Sequence, residues 1–222
     1  MSNIRRLVCK PNVWAVSVDP GPSYGAAALI RTDHDGRARP VRVVGWARDK
    51  RKQPRNVFRW VEWTPEGLVE VERGARDPLY VVSAIVGEGV AKSQESKQPL
   101  SCAVEAIQSH GPPRRGLLDL AASAGAAAGL CLMDTGNQAH RPPERQWVRQ
   151  VAAVPSRTRK KETRQMLACA LQNEPRDSDG LRVSWGFVVD CSTITEHMMD
   201  AIGIALFAAD GHLCQPQERQ HV

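Results

Sequence analysis

The chain has 222 residues, 42% of them apolar, which is enough to bury one sizeable hydrophobic core. Its net charge of +6 and pI of about 9.2 favour an acidic polymer or an anionic surface as partner. The first ten residues lack the apolar segment of a signal peptide, and no run approaches the roughly 20 apolar residues of a membrane span, so we expect a soluble cytoplasmic protein.

An apolar run, an acid and a tight turn begin the patterned part of the chain. Residues 13–18 predict a buried strand that ends at Asp19, and Pro20-Gly21 then turns the chain into a second strand rich in small residues. Desolvating an ionised carboxylate there is unfavourable unless a cation or hydrogen-bond donors compensate it. Asp19 is therefore either a metal ligand or a cap of its own turn. Residues 41–47 predict a third strand, which completes a meander.

A basic segment and a hairpin follow this meander. Between residues 48 and 59 the cations far outnumber the single acid, which is typical of a solvated loop but also suits phosphate. Two apolar runs flank Thr64-Pro65-Glu66-Gly67, which has hairpin turn chemistry. We take residues 48–76 as an inserted loop and hairpin. Its Trp60 and Trp63 are either core residues or a platform for unpaired bases.

The middle of the chain predicts a helix and a second strand that ends in an acid. Pro78 begins the helix, which runs to about Lys92. Residues 100–107 predict a short buried strand that ends at Glu105. Two acids at strand ends in one chain indicate a shared site.

The second half of the chain is mainly helical in its pattern. Residues 117–133 predict a helix that packs closely on a sheet, and short strands are expected within 145–154 and 183–189. Five cations between residues 156 and 164 stand at a helix start, where they oppose the helix dipole, so phosphate binding explains them better. The last helix begins at Ser192 or Thr193. It places His197 and Asp200 on one side, either as ligands of one ion or as a polar flank.

Three ordered motifs carry a resemblance: Asp19-Pro20-Gly21 with Gly25, Ala103-Val104-Glu105, and His197-x-x-Asp200-Ala201. Together they resemble the bacterial RuvC Holliday-junction resolvases of the RNase H-like superfamily, and residues 124–128 and Arg149-Gln150-Val151 agree with this. The resemblance implies an α/β, RNase H-like fold with a mixed central sheet, an antiparallel three-strand meander and helices on both faces. We expect a single domain over residues 1–222, with the insertion at 48–76 and a short flexible tail at 215–222.

The resemblance also implies an activity, namely a metal-dependent endonuclease that resolves four-way DNA junctions by paired symmetric hydrolysis, leaving 5′-phosphate and 3′-hydroxyl ends. Asp19, Glu105, His197 and Asp200 would hold two Mg²⁺ ions, which Mn²⁺ can replace, and Lys161 would offset charge on the phosphate. Two symmetric cuts imply a homodimer, and the protein would be cytoplasmic and associated with the nucleoid. The residues expected to track the DNA backbone are Arg114, Arg115, Arg157, Arg159, Lys160 and Lys161.

The chain departs from the family pattern in a longer gap between Asp19 and Glu105, in His197 at the position of the first acid of the last helix, and at two further places. Ala152 and Ala153 stand where a base usually follows Arg-Gln-Val, and Gln108 and Ser109 stand where an aromatic residue often follows the strand-end acid. Three alternatives therefore stay open. They are an RNase H-like nuclease acting on other branched DNA or on RNA, a non-catalytic nucleic-acid-binding module, and an ATPase related to sugar kinases and actin, although the chain has no second phosphate loop.

Overall fold

The computed structural model describes residues 6–49, 57–64, 67–74, 77–107, 115–152, 160–172 and 193–214. The elements in chain order are β1 (Arg6–Val8), β2 (Trp14–Asp19), β3 (Tyr24–Thr32), β4 (Ala38–Arg48), β5 (Phe58–Thr64), β6 (Gly67–Gly74), α1 (Pro78–Ser96), β7 (Leu100–Val104), α2 (Arg115–Thr135), α3 (Glu144–Ala152), α4 (Lys160–Gln172), α5 (Thr193–Ala208) and β8 (His212–Cys214). The expected tail at 215–222 and the expected strand at 183–189 lie outside the described residues.

A six-stranded mixed sheet forms the centre, in the order β6-β5-β4-β3-β2-β7. Strands β2 to β6 pair antiparallel in sequence order, and β7 pairs parallel with β2. The register places Val18 beside Val104, so β2 and β7 end next to each other. The hairpin β5–β6 continues the sheet beyond β4. The predicted fold class, a mixed sheet with an antiparallel meander between helical layers, is confirmed.

The two faces of the sheet carry different helices because side chains alternate along each strand. Val16 and Val18 of β2 pack with α1 and α2 on one face. Ala15 of β2 packs with α5 on the other face, where α4 joins the same core. Every residue of α5 from Met198 to Leu206 is buried. A polar side chain on this stretch of α5 must therefore find its partners inside the protein.

One predicted element is wrong, and one open alternative is settled. Residues Glu144–Ala152 form α3, although a short strand was expected within 145–154. Trp147, Val148 and Val151 are buried, and their spacing is that of one helical face. Trp60 and Trp63 are only 3% and 4% exposed, so they belong to the core and do not stack on bases.

Helix α2 corrects the expectation about membrane spans. Within the described part of the chain, one helix, Gly116–Thr135, is long and apolar enough to cross a membrane by length and composition alone. Its Ala124, Ala127 and Cys131 pack into the core on the α1 face of the sheet. Leu118 and Met133 are 68% and 81% exposed. The helix is therefore one layer of the fold with an apolar outer side.

Candidate active site

The site begins at Asp19, the last residue of β2, which is 4% exposed. A Cβ atom at Gly21 would lie 1.7 Å from the carbonyl oxygen of Tyr24, so the turn after Asp19 is as tight as it is only because residue 21 is glycine. The Oδ2 atom of Asp19 lies 2.6 Å from Nδ1 of His197 on α5. The carboxylate thus reaches across to the neighbouring helix, as the ligand hypothesis requires and the turn-cap alternative does not.

Helix α5 brings two further side chains to the same place. Ser17 of β2 donates a hydrogen bond to the carbonyl oxygen of Ala201 at 2.5 Å, which fixes α5 against the strand. The ring of His197 stacks on Tyr24 at a centroid distance of 6.3 Å. One ligand atom from each of Asp19, His197 and Asp200 lies within 4.8 Å of the others. Three of the four predicted ligands therefore form one cluster.

Glu105, the fourth predicted ligand, directly follows β7. Its backbone nitrogen donates to the carbonyl oxygen of Val18 at 3.1 Å, which holds it beside the end of β2. The indole Nε1 of Trp147 donates to its Oε1 atom at 2.9 Å. A Cβ atom at Gly203 would lie 2.5 Å from the Trp147 ring, so glycine there lets α3 approach α5. Helix α3, where a strand was predicted from the sequence, thus orients Glu105.

A lysine from α4 lies between the carboxylates. The Nζ atom of Lys160 is 3.2 Å from Oε1 of Glu105 and 3.0 Å from Oδ2 of Asp200. Lys161, which the sequence singled out for this position, is exposed. Adjacent helical residues point about 100° apart, so only one of the two can face the cluster. The structure places Lys160 there.

Arg164, one helical turn after Lys160, is a site residue that the sequence did not single out. Its Nε and Nη2 atoms donate to the two carboxylate oxygens of Asp200 at 2.7 and 2.6 Å. Its Nη1 atom lies 2.9 Å from Oε2 of Glu196. The i, i+4 spacing from Lys160 was a signal that the two cations share one helix face. Arg164 therefore fixes the orientation of the buried Asp200.

The charged groups of this cluster shift one another's pKa values. Burial opposes ionisation of Asp19, but the hydrogen bond with His197 and the charge of Lys160 outweigh it, so the pKa of Asp19 is lowered. Burial and the charge of Asp19 raise the pKa of Glu105 to about 7. Burial also raises the pKa of Asp200, which Arg164 and Lys160 oppose only in part. The same carboxylates keep the pKa of Lys160 above its ordinary value against the effect of burial.

The cluster opens into a cavity of about 570 Å³, lined among others by Asp19, Glu105, Lys160 and His197. Its ligands are mainly carboxylate oxygens with one imidazole nitrogen, a set that suits a hard divalent cation and tolerates Mn²⁺. The close spacing of the ligand atoms and the raised pKa of Glu105 both fit a site that accepts further positive charge. The residues present therefore fit a divalent metal.

The expected DNA-contacting cations are only partly described. Arg114, Arg157 and Arg159 lie outside the described residues, and the backbone of Arg115 begins α2. Lys160 is committed to the carboxylates. Lys161 is exposed, and its contact with DNA phosphate stays a prediction.

No protein-family model and no curated protein sequence matches the chain. A structure of Thermus thermophilus RuvC in complex with a Holliday junction substrate is similar at 18% identity and a TM-score of 0.47, over 87% of this chain and 90% of that chain. Another structure of Thermus thermophilus RuvC is similar at 18% identity and a TM-score of 0.42, over 89% and 93%. An Aquifex aeolicus PPX-GPPA enzyme is similar at 12% identity and a TM-score of 0.33, over 76% and 43%.

Proposed function

We propose that this protein is a divalent-metal-dependent, structure-selective DNA endonuclease that resolves four-way junctions by paired symmetric hydrolysis, leaving 5′-phosphate and 3′-hydroxyl ends. The observation that carries the proposal is an open cavity lined by Asp19, Glu105 and His197, with the buried Asp200 next to Asp19 and His197. These residues come from three parts of the chain that are far apart in sequence. A merely structural ion cluster has little reason to keep carboxylates beside an open cavity, because apolar residues usually serve stability as well or better.

Each residue then has a role. Asp19 and Glu105, at the ends of adjacent strands, would hold one Mg²⁺ ion, and Asp19 with His197 and Asp200 would hold a second. Bound metal would lower the pKa of the attacking water and stabilise the leaving oxygen. Lys160 would place its ammonium group near the phosphate and offset the charge that develops there, the role first assigned to Lys161. Binding would also displace the proton that Glu105 holds near neutral pH.

The partners follow from the reaction and from the surface. Two symmetric cuts in a junction need two sites related by a two-fold axis, so we propose a homodimer. Large apolar side chains exposed along α2 support this, because exposed apolar surface often marks a protein–protein interface; they are Leu118, Leu132 and Met133. We further propose a single cytoplasmic, nucleoid-associated domain in which residues 48–76 are an insertion.

The decisive experiment compares DNA substrates and metals. The purified protein is incubated with a four-way junction, a flap, a linear duplex and an RNA-containing duplex of matched sequence, each in Mg²⁺, in Mn²⁺ and in EDTA. We expect paired nicks in the junction with either metal and none in EDTA. Preferential cutting of the flap or of an RNA-containing duplex would support the alternative RNase H-like nuclease. Full cleavage in EDTA, or binding without cleavage in either metal, would contradict the proposal.

A further inference from the structure

A second cavity lies on the other side of the turn that follows Asp19. It has a volume of about 470 Å³ and is enclosed by the sheet, the start of α1 and the middle of α2. Its walls are mostly apolar and include Trp46, Phe58, Val82 and Ala126. Nothing in the proposed chemistry uses this space. Its size is within the usual range for a small-molecule site.

One side chain that lines this cavity lacks a hydrogen-bond partner among the described residues for one of its nitrogen atoms. Arg48, the last residue of β4, places its guanidinium carbon 5.6 Å from the ring centre of Phe58. Its Nε atom is buried and has no hydrogen-bond partner in the part of the chain that the structure describes. Buried donors are normally satisfied, and arginine can only donate. Within the described residues, the guanidinium group therefore lacks one hydrogen bond in its present position, and a ligand in the cavity would supply an acceptor if the guanidinium turns toward it. The mostly apolar walls favour an occupant with apolar faces, and Arg48 favours one with an acceptor on its edge.

A nucleobase has this chemistry. Aromatic and apolar side chains stack on its faces, and an arginine commonly donates to its ring nitrogens and carbonyl oxygens. The carboxylate of Asp77 at the rim adds an acceptor, although its Oδ1 atom already accepts from the backbone nitrogen of Leu79 at 2.9 Å. The cavity thus offers an apolar slot with a donor and an acceptor at its edge.

The position of the cavity links it to the carboxylate cluster. Pro20, Gly21 and Pro22 line both cavities, so a single turn separates them. A nucleotide carries its phosphate and its base on opposite sides of one sugar. A strand whose phosphate lies at Asp19 can therefore reach across this turn with a neighbouring base.

We propose that the 470 Å³ cavity binds one unpaired nucleobase of the DNA strand that lies in the active site, with Arg48 donating to an acceptor on its edge. The proposal rests on the proposed nuclease function for its ligand. It extends that function by giving the protein a site that reads a base next to the cut. Branched DNA exposes unpaired or weakly stacked bases at the branch point, where extracting one is least costly.

The test uses 2-aminopurine, whose fluorescence rises when it leaves the base stack. Four-way junctions carry it at single positions on either side of the cleavage site, and binding is measured in EDTA, so that cleavage is not required. We expect a rise of at least about threefold at one position and little change at the others. No rise at any position would overturn the proposal.

Two variants locate the base. Ala126→Met narrows the cavity from α2, and the matched control Ala91→Met adds the same side chain at an exposed position of α1 outside the cavity lining. We expect Ala126→Met to lose the fluorescence rise and about tenfold in junction affinity, and Ala91→Met to behave as wild type. Arg48→Met keeps an apolar side chain but removes the donors. It should bind the junction more weakly and give a smaller fluorescence rise at the same DNA position. An unchanged rise in both cavity variants would place the base elsewhere.

An abasic nucleotide at the responsive position completes the cycle. On that DNA, wild type and both cavity variants should bind equally, because the missing base removes the interaction that the variants disturb. A loss of affinity that persists on abasic DNA would mean that the variants damage the fold or that another ligand fills the cavity, and would overturn the proposal. Since no step needs cleavage, a protein that cuts no branched DNA but gives the fluorescence pattern would fail as a nuclease and still support the base site.

Discussion

The two faces of the central sheet differ in how their buried polar groups are paired. On the α5 face, buried carboxylates meet the cations of Lys160 and Arg164 at 2.6–3.2 Å. On the α1 and α2 face, the layer is apolar, and the buried Nε atom of Arg48 has no partner among the described residues. Paired internal charges add little to net stability, which supports the chemical role that we propose for the α5 face. The unsatisfied donor and open cavity of the other face point to ligand binding.

The largest effect on cleavage among the cations of the α5 face is expected from Lys160→Met. Removing the ammonium group leaves Glu105 and Asp200 without a shared cation and removes a positive charge from the reacting phosphate. We expect junction cleavage to fall by about 10²- to 10³-fold. Lys161→Met, the matched control one position along α4, should cleave within a few-fold of wild type. Single-turnover rates at saturating protein, with circular dichroism to check folding, separate the two lysines, and an equal loss in both would contradict the placement of Lys160.

The next effect concerns stability. Arg164→Met deletes the guanidinium group that binds both oxygens of the fully buried Asp200 and leaves Lys160 as its remaining cation among the described residues. Breaking a buried ion pair costs about 3–5 kcal/mol, and because Lys160 remains we expect a loss at the lower end, about 3 kcal/mol. Arg149→Met, at an exposed position of α3, should change the free energy of unfolding by less than about 0.5 kcal/mol. Urea unfolding of both variants measures the difference. If the two variants unfold alike, Arg164 does not hold Asp200.

The paired charges also predict how stability varies with pH in metal-free protein. The pKa of Glu105 is raised from 4.5 to about 7, so the folded state keeps a proton that the unfolded state loses. The resulting stabilisation is complete below about pH 4.5 and is lost as the pH rises to about 7. His197, whose pKa is raised above 6.5, loses its contribution in the same direction at higher pH.

A decline of about 3 kcal/mol between pH 4.5 and 7 is expected in EDTA from Glu105, following from the size of its shift. Glu105→Gln cannot titrate and should remove most of this slope. Urea unfolding at several pH values measures it. Asp200, whose pKa burial also raises, contributes the slope that remains in Glu105→Gln. A stability that is flat or rising over this range, or a slope as steep in Glu105→Gln as in wild type, would contradict the charge balance described for the cluster.

A smaller effect tests the apolar outer side of α2. Met133→Glu and Leu118→Glu place charges on the patch that we propose to be covered in a homodimer, and we expect the dimer dissociation constant to rise about 100-fold. Tyr80→Glu changes an exposed aromatic residue on α1 and serves as the control. Sedimentation across a range of concentrations distinguishes them. A wild-type protein that stays monomeric at high concentration would rule out this interface.

Much of this arrangement could be predicted because it depends on local patterns of apolar and acidic residues in the sequence. The apolar runs that end at Asp19 and Glu105 predicted two strands, and the register of β2 and β7 places their ends together. The 3.6-residue pattern of α5 placed His197 and Asp200 on one side. These predictions needed only periodicity and the positions of acids within apolar segments.

The parts that were missed depend on tertiary contacts. Residues 145–154 read as a strand, but the Trp147 ring needs the space above Gly203, which favours the helix α3. The choice between Lys160 and Lys161 depends on which side of α4 faces the carboxylates, and a run of consecutive cations does not specify this. The three-residue strands β1 and β8 come from opposite ends of the chain and pair with each other. Each is too short to show the alternating pattern that predicts a strand.

We propose that Asp19 binds the catalytic metal and does not merely cap its turn, and the cleavage rate of Asp19→Asn distinguishes these two roles. The amide keeps the shape of the side chain but removes the charge that would bridge two ions, so the rate should fall by several orders of magnitude. Folding and junction binding should be retained, and Asp35→Asn, an exposed acid in a loop, should cleave normally. Cleavage by Asp19→Asn within about tenfold of wild type would contradict the account, because binding alone would then explain the site.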